Sequence, residues 1–262
     1  MRALAIAATG MAAQQLNVEV ISNNVANINT TSFKRSRAEF TDLLYQIDRA
    51  AGTPTAGTDE VIPEGLRVGL GTKAAAVRNL HMQGALAQTG NSLDLALTGK
   101  GFFRVAGPDG ETLYTRAGAF NKSATGQIVT TEGYVVQPAI TIPIEVTNVT
   151  VNDTGQVFGQ AVGDVQPQLL GQISVAGFVN DVGLSPLSGN LYRETAASGP
   201  AVVGTAGAAG LGTIKQGYLE ASNVDAVKEI TELISAQRAY EMNSKVVQAA
   251  DEMMGTVSKG LR

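Results

Sequence analysis

The chain has 262 residues, a net charge of −4 and 16% charged residues, against roughly 25% in an average soluble protein. It contains no cysteine, which excludes disulfides and thiolate-held metals, and it has no basic bias pointing to nucleic acid. Tryptophan is absent and aromatic residues make up 5%, so the core of this one- or two-domain length should be aliphatic and rich in small residues.

The first stretch, to about Phe33, reads as one amphipathic helix. Apolar and small residues recur at heptad-like steps through Leu4, Ala7, Met11, Gln14, Val18, Ile21, Val25 and Ile28. Arg2 and the Ala-rich run behind it imitate a signal peptide. The step pattern continues past any cleavage point, which a discarded leader has no need of, so the segment is expected to remain in place. Arg2 and Glu19 are its only charges, and its polar end is built from Asn23, Asn24, Asn27 and Asn29. Asparagine competes for the helix backbone, so these neutral amides call for specific partners.

The middle has a different composition. All eight prolines and nearly all glycines fall between the two chain ends. The stretch "DRAAGTPTAGTDEVIPEG" (48–65) reads as a surface loop. Beyond it, short β-rich runs alternate with turn signals, as in "FFRV" and "TLYTR" around a Pro-Asp-Gly turn. "AFNKS" and "QIVTT", then "TNVTVND" and "QVFG", repeat the pattern, which predicts an all-β domain over roughly 84–192. Pro143 is expected at an edge strand or a bulge. The glycine-rich run 202–212 reads as a linker.

From Ser222 the chain is helical again. Ser222 or Asn223 is the expected N-cap, and a 3–4 row runs through Ile230, Leu233, Gln237, Tyr240, Ser244, Val247, Asp251 and Met254. Neither terminal helix has enough apolar surface to stand alone in water. The two should pack on each other and leave small, neutral faces for further helices, which points to an assembling protein. The expected fold is therefore α+β and multidomain, with both terminal helices in a coiled-coil inner domain and a central all-β domain.

Catalytic motifs fail on context. The Asp153-Thr154-Gly155 triplet of an aspartic protease needs a second carboxylate, and its surroundings read as a hairpin turn. The glycine-rich run opens no helix, as a phosphate loop must. His81 is the only histidine and has no ligand cluster beside it. No catalytic residue, cofactor or metal is expected. A hydrolase built on Asp153 is the reading from another class, and it predicts that Asp153→Ala abolishes an activity.

Three separated motifs carry a resemblance. "SNNVANINTTSFKR" (22–35), "GNSLDLALTGKGFFRV" (90–105) and "LEASNVDAVKEITELISAQRAYEMNSKVVQAADEM" (219–253) together resemble bacterial flagellar rod and hook proteins. Ser32 stands where that family commonly has glycine. "RAEFTDLLYQ" (37–46) and the segment after Tyr45 resemble distal rod members most, with proximal rod or hook as the alternative station. The resemblance implies an inner domain of residues 1–33 with 222–262 and a connecting region of 34–83 with 193–221. It also implies an outer β-domain of 84–192. It implies a hollow helical homopolymer through the periplasm that carries torque from motor to hook. Its partners would be itself, neighbouring rod and hook-type axial proteins, the peptidoglycan-ring and outer-membrane-ring proteins and the flagellar export apparatus, with no nucleic acid and no small-molecule substrate. Export would proceed without a cleaved leader, and residues 45–63 would stiffen the tube. Subunit contacts are expected at Leu4, Met11, Val18, Asn23, Asn24, Asn27, Phe33, Tyr45, Ile230, Leu233, Gln237, Tyr240, Val247 and Met254.

Overall fold

The computed structural model describes residues 2–51, 64–161 and 166–260. Residues 52–63, the larger part of the expected loop, lie outside the described residues. The chain forms two compact units, one of Met1–Ala26, Ser36–Arg78 and Asp225–Arg262, the other of Asn27–Arg35 and Asn79–Val224.

The first unit holds α1 (Arg2–Ala26), β1 (Ser36–Asp42), β2 (Tyr45–Arg49), β3 (Leu66–Gly69), β4 (Thr72–Asn79) and, at the other end of the chain, α2 (Ala226–Gly260). β1 pairs with β4, and β2 pairs with β3 in an antiparallel hairpin. The helices pack along each other in opposite directions: Asn24 meets Glu229 in the first turn of α2, and Gly10 lies against Asn243 further along. Small residues make this seam. Ala7 and Ala13 of α1 and Ala236 and Ala250 of α2 are buried. A Cβ on Gly10 would come within 2.9 Å of the Asn243 amide nitrogen. The spacing of packed helices follows the size of the residues between them, so the seam is closest around Gly10 and the buried alanines, and Val20, Ile21 and Asn24 are buried nearer the end of α1.

Two helix boundaries differ from expectation. α1 stops at Ala26, short of Phe33. Turns follow at once: Thr30 N–H donates to Asn27 O, Thr30 Oγ1 donates to Asn27 Oδ1 at 3.1 Å, and Phe33 N–H donates to Thr30 O. These are the local bonds by which Asn and Thr compete with a helix. At α2 the cap is Asp225, not Ser222 or Asn223. Its Oδ1 accepts from the N–H groups of Val227 (2.9 Å) and Lys228 (3.2 Å). Asn223 is engaged elsewhere, donating to Leu80 O and Met82 O and accepting from Arg35 N–H.

The second unit is mostly β. Its strands are β5 (Leu86–Gln88), β6 (Leu95–Thr98), β7 (Phe102–Ala106), β8 (Thr112–Thr115), β9 (Phe120–Lys122), β10 (Ile128–Thr130), β11 (Val146–Val151) and β12 (Gln156–Ala161). Then come β13 (Gln168–Gln172), β14 (Ser174–Gly177), β15 (Ser185–Pro186), β16 (Leu191–Arg193), β17 (Val202–Thr205), β18 (Thr213–Gln216) and β19 (Tyr218–Glu220). The three hairpins read from the sequence are present, as β7–β8, β9–β10 and β11–β12. A six-stranded sheet has the order β15-β16-β8-β7-β14-β17. Side chains alternate across it. Phe103, Val105, Leu113 and Val175 enter the main core, while Phe102, Tyr114 and Ala176 form a second cluster with Leu184 and Tyr192. Burial on both faces explains the run "FFRV", which lacks the polar alternation of a one-sided strand.

The glycine-rich run 202–212 is not a linker. Its first residues form β17, paired with β14, and a turn at Gly207 and Gly210 returns the chain to β18, paired with β6. Its valines go to the sheet because strand residues with an open edge to pair on gain more than a solvated tether does. Pro143 lies outside the described strands, next to the isolated bridge Gln127↔Thr141. Among the described residues no helix is long and apolar enough to cross a membrane.

Candidate assembly surface

The paired helices bury one narrow stripe each, and α2 keeps large apolar side chains outside it. Val227, Ile230, Ile234, Tyr240, Met242, Val246 and Met253 are all exposed. Scattered exposed apolar residues are ordinary, but a run of them along one helix marks a contact surface. Between the helices a groove of about 350 Å³ is lined by Gln15, Val18, Glu19, Gln237, Tyr240 and Glu241. The β2–β3 hairpin adds exposed Leu44, Tyr45, Ile47 and Leu66.

The residues singled out from the sequence fall in several environments. Val18, Gln237 and Tyr240 meet at the groove. Ile230 and Met254 are exposed on α2, and Leu233 and Val247 are half-buried there. Leu4 and Met11 are half-buried on α1, Asn23 is exposed, and Tyr45 stands out on the hairpin. Asn24 is buried, and both ends of its amide are used inside the chain. Nδ2 donates to Ser36 O at 2.8 Å and Glu229 Oε2 at 3.0 Å, and Oδ1 accepts from Ser36 N–H at 2.9 Å. Asn27 and Phe33, both half-buried, belong to the turn after α1.

The second unit contains a buried charge cluster. Lys34 and Arg116 both pair with Glu220, and the three side chains are almost wholly out of solvent. Burial pulls the Lys34 ammonium below the usual lysine range, and the adjoining Glu220 carboxylate partly restores it. Ser32 closes the turn leading in. It is fully buried at φ +58°, with its N–H on Glu220 O (2.8 Å) and its hydroxyl donating to Arg116 O (2.9 Å). A left-handed non-glycine residue costs roughly 1–2 kcal/mol, which these two bonds offset. Glu220 and Arg116 were not singled out from the sequence. The only available signal was a lone acidic residue set in an otherwise uncharged run.

His81 packs edge-on between Phe102 and Tyr192, with ring centroids at 5.5 and 5.2 Å. Burial, helped by the nearby charges of Lys34 and Arg116, lowers its pKa to about 4. Burial likewise pushes the Tyr192 hydroxyl up to about 12. The Asp153 triplet is a hairpin turn: Asn152 Oδ1 accepts from the N–H groups of Thr154 and Gln156, and Gly155 supplies φ +84°. Among the described residues no three His, Asp or Glu gather as a metal would require.

Known families match three parts of the chain. A family described as flagella basal body rod protein covers residues 4–34, and the D1 domain of the flagellar hook protein FlgE/F/G family covers 96–159. The C-terminal region of flagellar basal body rod FlgEFG proteins covers 215–259. The flagellar basal-body rod protein FlgG of Agrobacterium fabrum is 56% identical over 262 residues, all of both chains. Its namesake in Caulobacter vibrioides is 53% identical over 99% of both. That of Bacillus subtilis is 39% identical over 97% of both. With such identity sustained from end to end, the chain belongs to the bacterial flagellar basal-body rod and hook family, and within it to the distal rod proteins.

Proposed function

We propose that this subunit polymerises through its terminal helices into a hollow tube that spans the periplasm and carries torque from the motor to the hook. In the tube the helices of many copies make a coiled-coil inner layer, and the β-rich unit makes the outer wall, which turns inside the peptidoglycan and outer-membrane rings. The subunit reaches the periplasm through the flagellar export apparatus, and no catalysis is involved. The observation that carries this reading is the exposed apolar row on α2, which a single copy leaves in water along a helix with only a narrow buried stripe.

The test is assembly of purified protein, followed by sedimentation and electron microscopy. Ile230→Asp with Ile234→Asp places charges on that row without touching the Ala236 seam. The expected result is loss of filaments with an unchanged β-unit, seen as unaltered near-ultraviolet circular dichroism. Filaments formed at the wild-type concentration would sink the reading.

A further inference from the structure

Glu220 stands where four separate segments of the second unit meet. Its carboxylate accepts from Lys34 Nζ, from Gly84 N–H at 2.8 Å and from Arg116 Nε at 3.1 Å. Its carbonyl accepts from Ser32 N–H. Lys34 also donates to Met82 O, and Arg116 Nη1 donates to Gly99 O and Gly101 O, each at 2.8 Å. Just beyond, Asn223 closes the same seam, linking Arg35 N–H, Leu80 O and Met82 O through its side chain and Phe33 O through its N–H.

We infer that this cluster is a latch that fixes residues 27–35 to the β-rich unit in the unassembled subunit, and that it closes only once Glu220 is in place. A buried charge is tolerated only when it is paired and its remaining hydrogen bonds are made. Lys34 or Arg116 carried inside without Glu220 would be an uncompensated cation in the unit's interior. The three side chains therefore enter together or not at all. Lys34 and Glu220 lie 186 positions apart, so the N-terminal turn has to wait for a strand near the other end of the chain. β19 reaches the site by pairing with β5, with Glu220 opposite Leu86. Until then residues 27–35 stay solvated, whatever the rest of the sheet has done. Any fraying of the free subunit is then confined to the helices, with its limits at residues 26 and 225. The latch lies wholly within one unit and does not depend on polymerisation.

Amide hydrogen exchange on the full chain, diluted below assembly, tests it. The amides of Ser32, Arg35 and Leu80 should exchange within about tenfold of core amides such as Leu95 and Ile173. Exchange faster than that overturns the latch. Glu220→Gln should speed exchange at Ser32, Arg35 and Leu80 by on the order of a hundredfold, while β7 and β14 stay within about tenfold of the wild type. Unchanged exchange at those three positions also overturns it. If the substitution strips protection from the whole unit, the wild-type comparison decides alone. Because exchange is read on free subunits, failure here leaves the tube reading standing, and loss of the tube reading leaves the latch.

Discussion

Asn24 shows what a single amide does in a poor helix position. It joins the end of α1 to Ser36 on the returning strand and to Glu229 on α2. Asn24→Ala removes the shared donor and acceptor at a buried site and should cost about 2–3 kcal/mol, read as a lower urea midpoint for the loss of helical circular dichroism. A cost below about 0.5 kcal/mol would mean that the amide is incidental. His81 sets a pH dependence. Its usual pKa of 6.5 falls to about 4 in the fold, so between those values the unfolded chain holds a proton that the folded chain refuses. Stability from this group is complete above 6.5 and falls as the pH drops towards 4, by about 3 kcal/mol in all. Asp181, whose carboxyl burial raises, acts in the opposite sense at the acid end. The difference between the wild type and His81→Gln across urea titrations isolates the imidazole, and parallel pH curves for the two would refute the assignment.

The helix seam is small-residue packing, and the β-rich unit has a closer approach still. A Cβ on Gly118 would fall 1.6 Å from Leu95 O, where Leu95 N–H donates to Gly118 O. The obstacle is backbone on both sides and cannot swing away. Gly118→Ala should cost more than about 4 kcal/mol and yield a chain with no cooperative unfolding of its β-unit. Near-wild-type melting would show that the strands can part there. The same rule of size governs α2. Its sequence displays a mixed 3–4 row from Ile230 to Met254, yet among the described side chains the buried positions are Glu229, Ala236 and Ala250. Where the helices approach closely at Ala236 and Ala250 they bury small residues, while Val20, Ile21 and Asn24 are buried nearer the end of α1.

At the scale of the whole molecule, the proposed tube would need contacts between copies beyond the helices to be stiff. The β2–β3 hairpin presents Tyr45, Ile47 and Leu66 to solvent, and we propose that residues 45–63 fill space between copies in the polymer. Deleting them should leave the β-rich unit folded and give tubes with a shorter persistence length in electron micrographs. Tubes as straight as the wild type would refute this.

The hairpins and both helices were legible in the sequence because their signals are local: turn residues at fixed offsets, strand-forming runs and 3–4 periodicity. The family was legible from three short motifs. The residues that close the structure were not. Glu220 reaches Lys34 across 186 positions, and Asn24 meets Glu229 across 205. The glycine-rich run looked like a tether until β14 supplied a partner edge. α1 kept its apolar and small step pattern into its asparagines, and only the turn bonds of Asn27 and Thr30 ended it at Ala26. Composition and periodicity determined what kinds of element this chain makes. Which charges could be buried, and which helix face was covered, was decided by tertiary structure, because both depend on partners brought together only when distant segments meet.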